Sequence, residues 1–301
     1  MDQTFSDFDG VAYHIESSKE GPLTLSMDIR CWPELMQQGV EESLHNMYGG
    51  WIRNGAEPDY NVTLEFDYNA IPPPGGTCTT DAADRDALIH TVSLLKRNAM
   101  AAPFERAFEQ QAQLEAQYDP SGPPPPGTLI PINYRAGESM YILPSHDRVT
   151  VVFSTRFEEE TDRVFGKVFL QEFVDARRQP SIQNAPQVLY SPREPPLEIR
   201  SVPGLQRSED TGYVTFVLFP RHFQHPDVRF STISHIQLFR DYLHYHSTST
   251  TLTQSSAPRR TCTAACATVS PSSSRCSTVQ SPSMPKNSAR RPVAAHSAKP
   301  K

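Results

Sequence analysis

The residues of this chain able to do chemistry are few and poorly grouped. His244 and His246 flank Tyr245, a spacing that on a strand turns both imidazoles to one side and could hold zinc. On a helix, side chains two positions apart diverge, and no third ligand stands nearby. Cys262, Cys266 and Cys276 with His296 match no standard zinc spacing. Asp7 with Asp9, and Glu158, Glu159 and Glu160 with Asp162, offer carboxylates for acid–base work or a cation, but an acidic turn between strands reads first as a solvated loop. The pairs at Gly49–Gly50 and Gly75–Gly76 lack the setting and the following Lys of a phosphate loop, and read as turns. Asn61, Val62 and Thr63 spell a glycosylation sequon inside an expected strand of a cytosolic chain, where it has no meaning. No Ser, Cys or Lys stands in a nucleophile motif. The residues therefore predict no catalytic site, no metal and no cofactor.

Binding chemistry is better represented. Lys96-Arg97, Arg177-Arg178 and Arg221-His222 are basic spots, and a guanidinium fork suits a carboxylate or a phosphate. Lys96, Arg97, Arg177, Arg178 and Arg221 are thus candidate contacts for an acidic protein surface or a phosphoinositide headgroup on a membrane surface, with plain solvated charge as the competing reading. Phe239, Tyr242 and Tyr245 put three aromatics on one terminal segment, a candidate partner interface; packing on the chain's own sheet is the alternative.

These groups must be positioned by regular elements. Residues 11–17 and 23–29 alternate apolar and polar around a Ser-Lys-Glu-Gly-Pro turn, which predicts a hairpin with one wet face. Residues 35–48 space Leu35, Met36, Val40, Leu44 and Met47 near a helical period, after a Pro33 suited to a first turn. Residues 60–68 return to strand alternation, and 81–118 read as helix kinked at Pro103. The proline-crowded run 119–127 can be neither helix nor central strand. Beyond it, short β-branched or aromatic runs predict strands at 130–134, 140–143, 148–155, 164–173, 187–190 and 213–219. Ile233, Ile236, Phe239, Tyr242 and Leu243 share one stripe of an amphipathic helix over 230–246.

The fold class expected is α+β. Residues 1–118 form a first module, 119–128 a Pro-rich linker, and 129–246 a second, similar module, each with an antiparallel-rich sheet packed on helices. The amphipathic helix ends the second module, and a disordered tail over 247–301 follows. A chain of 301 residues suffices for two modest cores, while 37% apolar content and 28 prolines leave some of it outside them. The formal charge of −6 argues against bulk nucleic-acid binding, although residues 255–301 carry Lys and Arg with no Asp or Glu. Five cysteines, an odd number, with no secretory segment ahead of Cys31, predict a reducing compartment without a disulfide framework. No apolar run approaches the ~20 residues of a membrane span. A soluble, cytosolic protein is expected.

Several blocks carry a resemblance. RVTVVFST at 148–155, GKVFLQEF at 166–173, APQVLYSPREPPLEI at 185–199, GYVTFVLFPRHF at 212–223 and FRDYLHYH at 239–246 follow one another closely. FSDFDGVAYHI at 5–15, YNVTLEFD at 60–67 and LLKRNAMAAPFE at 94–105 precede them in order. Over roughly 4–246 the chain resembles the family of subunit 2, the 34 kDa subunit, of the actin-related protein 2/3 complex. The resemblance implies two α/β modules side by side and a non-enzymatic scaffold that supports actin nucleation and branching. It implies pairing with the 20 kDa subunit 4, contact with the side of the mother actin filament, and residence in the cytoplasm at cortical actin patches of the cytoskeleton. Anionic lipid is the alternative partner, and nucleic acid is not expected.

From residue 247 the text turns to Ser, Thr, Ala, Pro and Arg, too poor in large apolar side chains to offset chain entropy. In the resembled family a long basic helix continues here. One permitted codon set for residues 255–270, read one base earlier after an added A, spells IKCSKAYLHSRMRHRV, which looks like that helix. Codons for 275–286 allow a QVLNRAK-like run. The expectation is that 247–254 is a translated short intron and that the following residues are out of frame. The family also has a segment ahead of the FSDFDG-like motif, so the start at Met1 is expected to be incomplete.

Overall fold

A computed structural model describes residues 1–7, 9–17, 21–66, 82–157, 164, 168, 171, 185–205 and 208–249, with the backbone alone for 82–85 and 240–249. These residues belong to one compact unit. They build two antiparallel sheets with helices, an α+β fold. The first sheet has the order β1(Asp2–Ser6), β2(Ala12–Ser17), β3(Leu23–Asp28), β4(Val62–Phe66). Tyr13 stands opposite Met27 and Met27 opposite Val62; Ile15, Leu25 and Leu64 form the next row. Alternation thus puts one apolar face on the helices, as the hairpin pattern predicts. The opposite face carries His14, Ser26 and Thr63 in register. β1 was not legible, because Asp-Gln-Thr-Phe-Ser has no apolar alternation; it is exposed throughout and is held by pairing with β2.

The helices are shorter than their sequence periods predict. Residues 32–48 form α1(Trp32–Gln37) and α2(Val40–Tyr48), with Pro33 in the first turn of α1 and Gly39 between them at φ +81°. Only glycine adopts that angle without strain, so the chain turns a corner there. Leu35, Val40 and Leu44 enter the core, whereas Met36 is exposed. Residues 81–118 are not one kinked helix but α3(Ala82–Ser93), α4(Leu95–Ala99) and α5(Ala102–Gln117). Pro103 causes no kink. It sits in the first turn of α5, where its missing N–H is not needed.

The second sheet has the order β5(Ile130–Arg135), β6(Glu138–Pro144), β7(Val149–Arg156), β9(Thr211–Leu218), β8(Gln187–Pro192). Ile130, Ile142, Val151, Phe216 and Val188 form one row across all five strands. The row faces α5 and α6(Pro226–Ser249). On the reverse face Tyr141, Val152 and Tyr213 pack with Ile199 and are covered by Leu129, Val202 and Leu205. The strand expected over 164–173 is not found at its described positions. Val164, Val168 and Gln171 are helical and exposed, and a short apolar run cannot tell the two periods apart. Residues 118–129 carry no helix or strand. Gly127 is pressed onto β6, because a Cβ there would lie 1.8 Å from the Pro144 carbonyl oxygen. One continuous cluster of buried apolar side chains joins both sheets, from Met27 and Leu64 through Leu95 and Phe104 to Phe216 and Phe239.

Candidate interface and its anchoring

The two basic residues of α4 are adjacent in sequence and hold different elements. Lys96 Nζ lies 2.5 Å from both Asp7 Oδ2 and Asp9 Oδ2, in the turn between β1 and β2. Asp7 Oδ1 accepts the main-chain N–H groups of Asp9 and Val11 at 2.9 and 3.0 Å, so the turn is pre-formed around the ammonium. Burial, and then Asp7, push the neighbouring Tyr13 phenol up to about 12. The acidic pair that reads as a solvated loop is therefore a partly buried clamp. Lys96, expected at a partner or a headgroup, is taken up by it.

Arg97 turns the other way. Its Nε donates to Ser234 Oγ at 2.9 Å, Nη1 to Asn98 Oδ1 at 3.0 Å, and Nη2 to the Phe230 carbonyl at 2.8 Å. Gln237 Nε2 returns a bond to the Arg97 carbonyl at 3.2 Å. Burial of the guanidinium lowers its pKa. Asn98 Nδ2 donates to Tyr48 Oη at 3.0 Å, and Tyr48 Oη donates to the Thr91 carbonyl at 2.9 Å. A second tie joins α5 to α6 through Glu105 and Arg229 at 3.1 Å. Arg97 is thus engaged in holding α6 against α4.

On α6 the buried stripe is Ile233, Ile236 and Phe239. Phe239 meets Phe216 at 4.9 Å and Phe153 at 6.2 Å, so it packs on its own sheet, the alternative weighed for it. Tyr242 and Tyr245 lie on the helix, and their side chains are outside the described residues, as are those of His244 and His246. Arg177 and Arg178 also lie outside them, with Glu158–Glu160, Asp162, Gly75, Gly76 and the whole of 250–301. Arg221 is exposed, its guanidinium 5.4 Å above the Phe219 ring. The residues missed by sequence reasoning are Phe230 and Leu238, apolar yet 44% and 46% exposed on α6. Their spacing of eight puts both on one side of the helix away from the buried stripe, a signal available beforehand.

Asn61 is bound into the first sheet. Its Oδ1 accepts Ile29 N–H at 2.5 Å, and its own N–H donates to the Met27 carbonyl at 2.9 Å. A groove of about 470 Å³ opens nearby, lined in part by Trp32, Glu41, Glu42, His45, Arg53 and Val62. No Ser, Cys or Lys lines it. Among the described residues no three His, Cys, Asp or Glu side chains group closely enough to hold a metal ion, and no helix is long and apolar enough to cross a membrane.

The fold and its internal anchors define a mixed α+β protein whose described polar clusters brace one element against another. A family model described as the Arp2/3 complex 34 kD subunit, p34-Arc, matches residues 25–255. The chain is 48% identical over 255 residues to actin-related protein 2/3 complex subunit 2 of Schizosaccharomyces pombe, covering 82% of this chain and 78% of that one. It is 35% identical over 248 residues to the protein of that name in Dictyostelium discoideum, covering 82% and 76%. This chain belongs to the p34-Arc family. Both relatives are named as subunits of an assembly rather than as enzymes.

Proposed function

We propose that this chain is a non-enzymatic structural subunit of the actin-related protein 2/3 complex, acting in the cytoplasmic actin cytoskeleton at cortical patches. The observation that carries the reading is the family match over residues 25–255. The mechanism is geometric: a rigid body pairs with the 20 kDa subunit 4, lies along the mother filament, and holds the assembly in register so that a daughter filament starts as a branch. What supports rigidity is the continuous core through both sheets and the two ties of α6 to α4 and α5. The division into modules 1–118 and 129–246 belongs to this reading. Each half has its own sheet, and 118–129 carries no regular element. Candidate outward contacts are Phe230, Leu238 and Arg221, with Tyr242, Tyr245, Arg177 and Arg178 from sequence. The headgroup reading has less support, since Lys96 and Arg97 are engaged internally. Co-expression with the same organism's subunit 4 tests the proposal. Co-purification is expected for a version with the basic helix restored after residue 246, and poorer recovery for the chain as written; a restored version that elutes alone beside folded subunit 4 would overturn the proposal.

Residues 247–301 are part of the same reading. The family match ends at 255, and one permitted codon set for 255–270, read one base earlier after an added A, spells a run like the family's basic helix. We infer an intron read-through followed by a frame change. Sequencing the transcript across the His246 codon tests it. Removal of a short intron supports the inference, and a continuous transcript refutes it.

A further inference from the structure

His14, in the middle of β2, has a carboxylate on each side of its ring. Nδ1 lies 2.8 and 2.9 Å from the two oxygens of Glu57, and Nε2 lies 3.0 Å from Asp2 Oδ1. An ionised carboxylate only accepts, so each ring nitrogen must present a hydrogen, and imidazolium alone carries both. The three groups come from β1, β2 and the segment ahead of β4. Their anchoring is unequal. Ser26 Oγ, fully buried, donates to Glu57 Oε2 at 2.6 Å, and the Glu57 main-chain N–H donates to Thr63 Oγ1 at 2.9 Å. The Asp2 side chain is 80% exposed, and so is every residue of β1 to a large degree. Glu57 is the fixed jaw and Asp2 the movable one.

We propose that His14 is a proton-controlled latch that holds β1, the outermost strand of the first sheet, onto β2. With the proton present, the ring bridges Glu57 and Asp2. When one hydrogen leaves, the other stays on Nδ1, where Glu57 presents two oxygens. Nε2 then turns a lone pair toward the Asp2 carboxylate. Main-chain pairing and the stack of Phe5 on Tyr13, 5.1 Å between centroids, keep the far end of β1 in place. The strand loosens at Asp2, between the paired Phe5 end and the two main-chain hydrogen bonds that join Met1 to Ser17.

The other groups facing this site are the Tyr60 ring, stacked on His14 at 5.8 Å, Glu16 opposite Asp2 in register, and Arg53, which acts on the Glu57 charge. The hydrogen bond that the ring donates to Glu57, then that to Asp2, raises His14 above its ordinary 6.5. Ser26, and then His14, hold Glu57 below the usual carboxylate value. For a raised histidine the contribution is complete below the ordinary value and is lost as pH rises through the folded one. The latch is therefore closed below pH 6.5 and opens as the pH rises through the raised value of the folded protein.

The test follows the His14 ring by NMR titration and amide exchange of residues 2–6 in the full chain, corrected for the intrinsic pH dependence of exchange. Protection at 2–6 is expected to fall about two- to fivefold through the same midpoint as the ring. Asp2→Asn, an exposed change that leaves the core intact, is expected to lower that midpoint and flatten the loss; His14→Gln abolishes the pH dependence. Protection that stays constant through the His14 titration, or that varies identically in His14→Gln, would overturn the proposal.

Discussion

Arg97 and Phe230 meet in two ways: Nη2 donates to the Phe230 carbonyl at 2.8 Å, and the guanidinium carbon lies 3.9 Å from the centre of the Phe230 ring. The carbonyl belongs to the first turns of α6, and the Arg97 main chain belongs to α4, so one side chain joins two helices distant in sequence. Arg97→Ala should cost about 1.5–3 kcal/mol, the range for hydrogen bonds to a charged group. Arg97→Lys should recover less than half, because an ammonium cannot reproduce a planar fork. Urea midpoints at unchanged slope would measure both.

Removing the ammonium from between Asp7 and Asp9 leaves two carboxylates facing one another. Lys96→Met is expected to destabilise by about 1–3 kcal/mol, since the clamp is only partly buried. Adding Asp7→Asn and Asp9→Asn in that background should restore part of the loss. A triple variant less stable than Lys96→Met would show that the carboxylates matter for the turn rather than for the lysine.

Neighbouring positions on α6 separate core from surface. Phe239 is 5% exposed and Leu238 46%. Phe239→Ala should cost about 3–5 kcal/mol. Leu238→Ala should stay within about 0.5 kcal/mol, as exposed substitutions do. In co-purification with subunit 4, Leu238→Asp is expected to reduce recovery of the pair while the melting temperature of the chain alone holds.

Two glycines of the proline-rich segment should behave differently. A Cβ at Gly127 meets the Pro144 carbonyl oxygen at 1.8 Å, whereas at Gly122 the nearest atom is 3.9 Å away. Gly127→Ala should lower stability by about 1–3 kcal/mol, the range for overpacking. Gly122→Ala should be neutral in the same thermal melt.

The sequence by itself determined the class of fold and the family. Period-two alternation at 11–17 and 23–29 has one physical source, the opposed faces of a strand, and it survives into the pairing of β2 with β3. The stripe of Ile233, Ile236 and Phe239 likewise survives as the buried side of α6. Tertiary structure decided what each charge and each boundary is for. β1 exists because β2 offered an edge, not because its own residues favour extension. Asp7 and Asp9 became a clamp because α4 brought Lys96 across 89 and 87 positions of chain. Arg97 became an internal tie because Ser234, 137 positions on, came within 2.9 Å. Side-chain period is a local property that can be read along the chain. A charge's partner depends on which backbones come together when the core closes, and that is set by the packing of all the apolar faces at once.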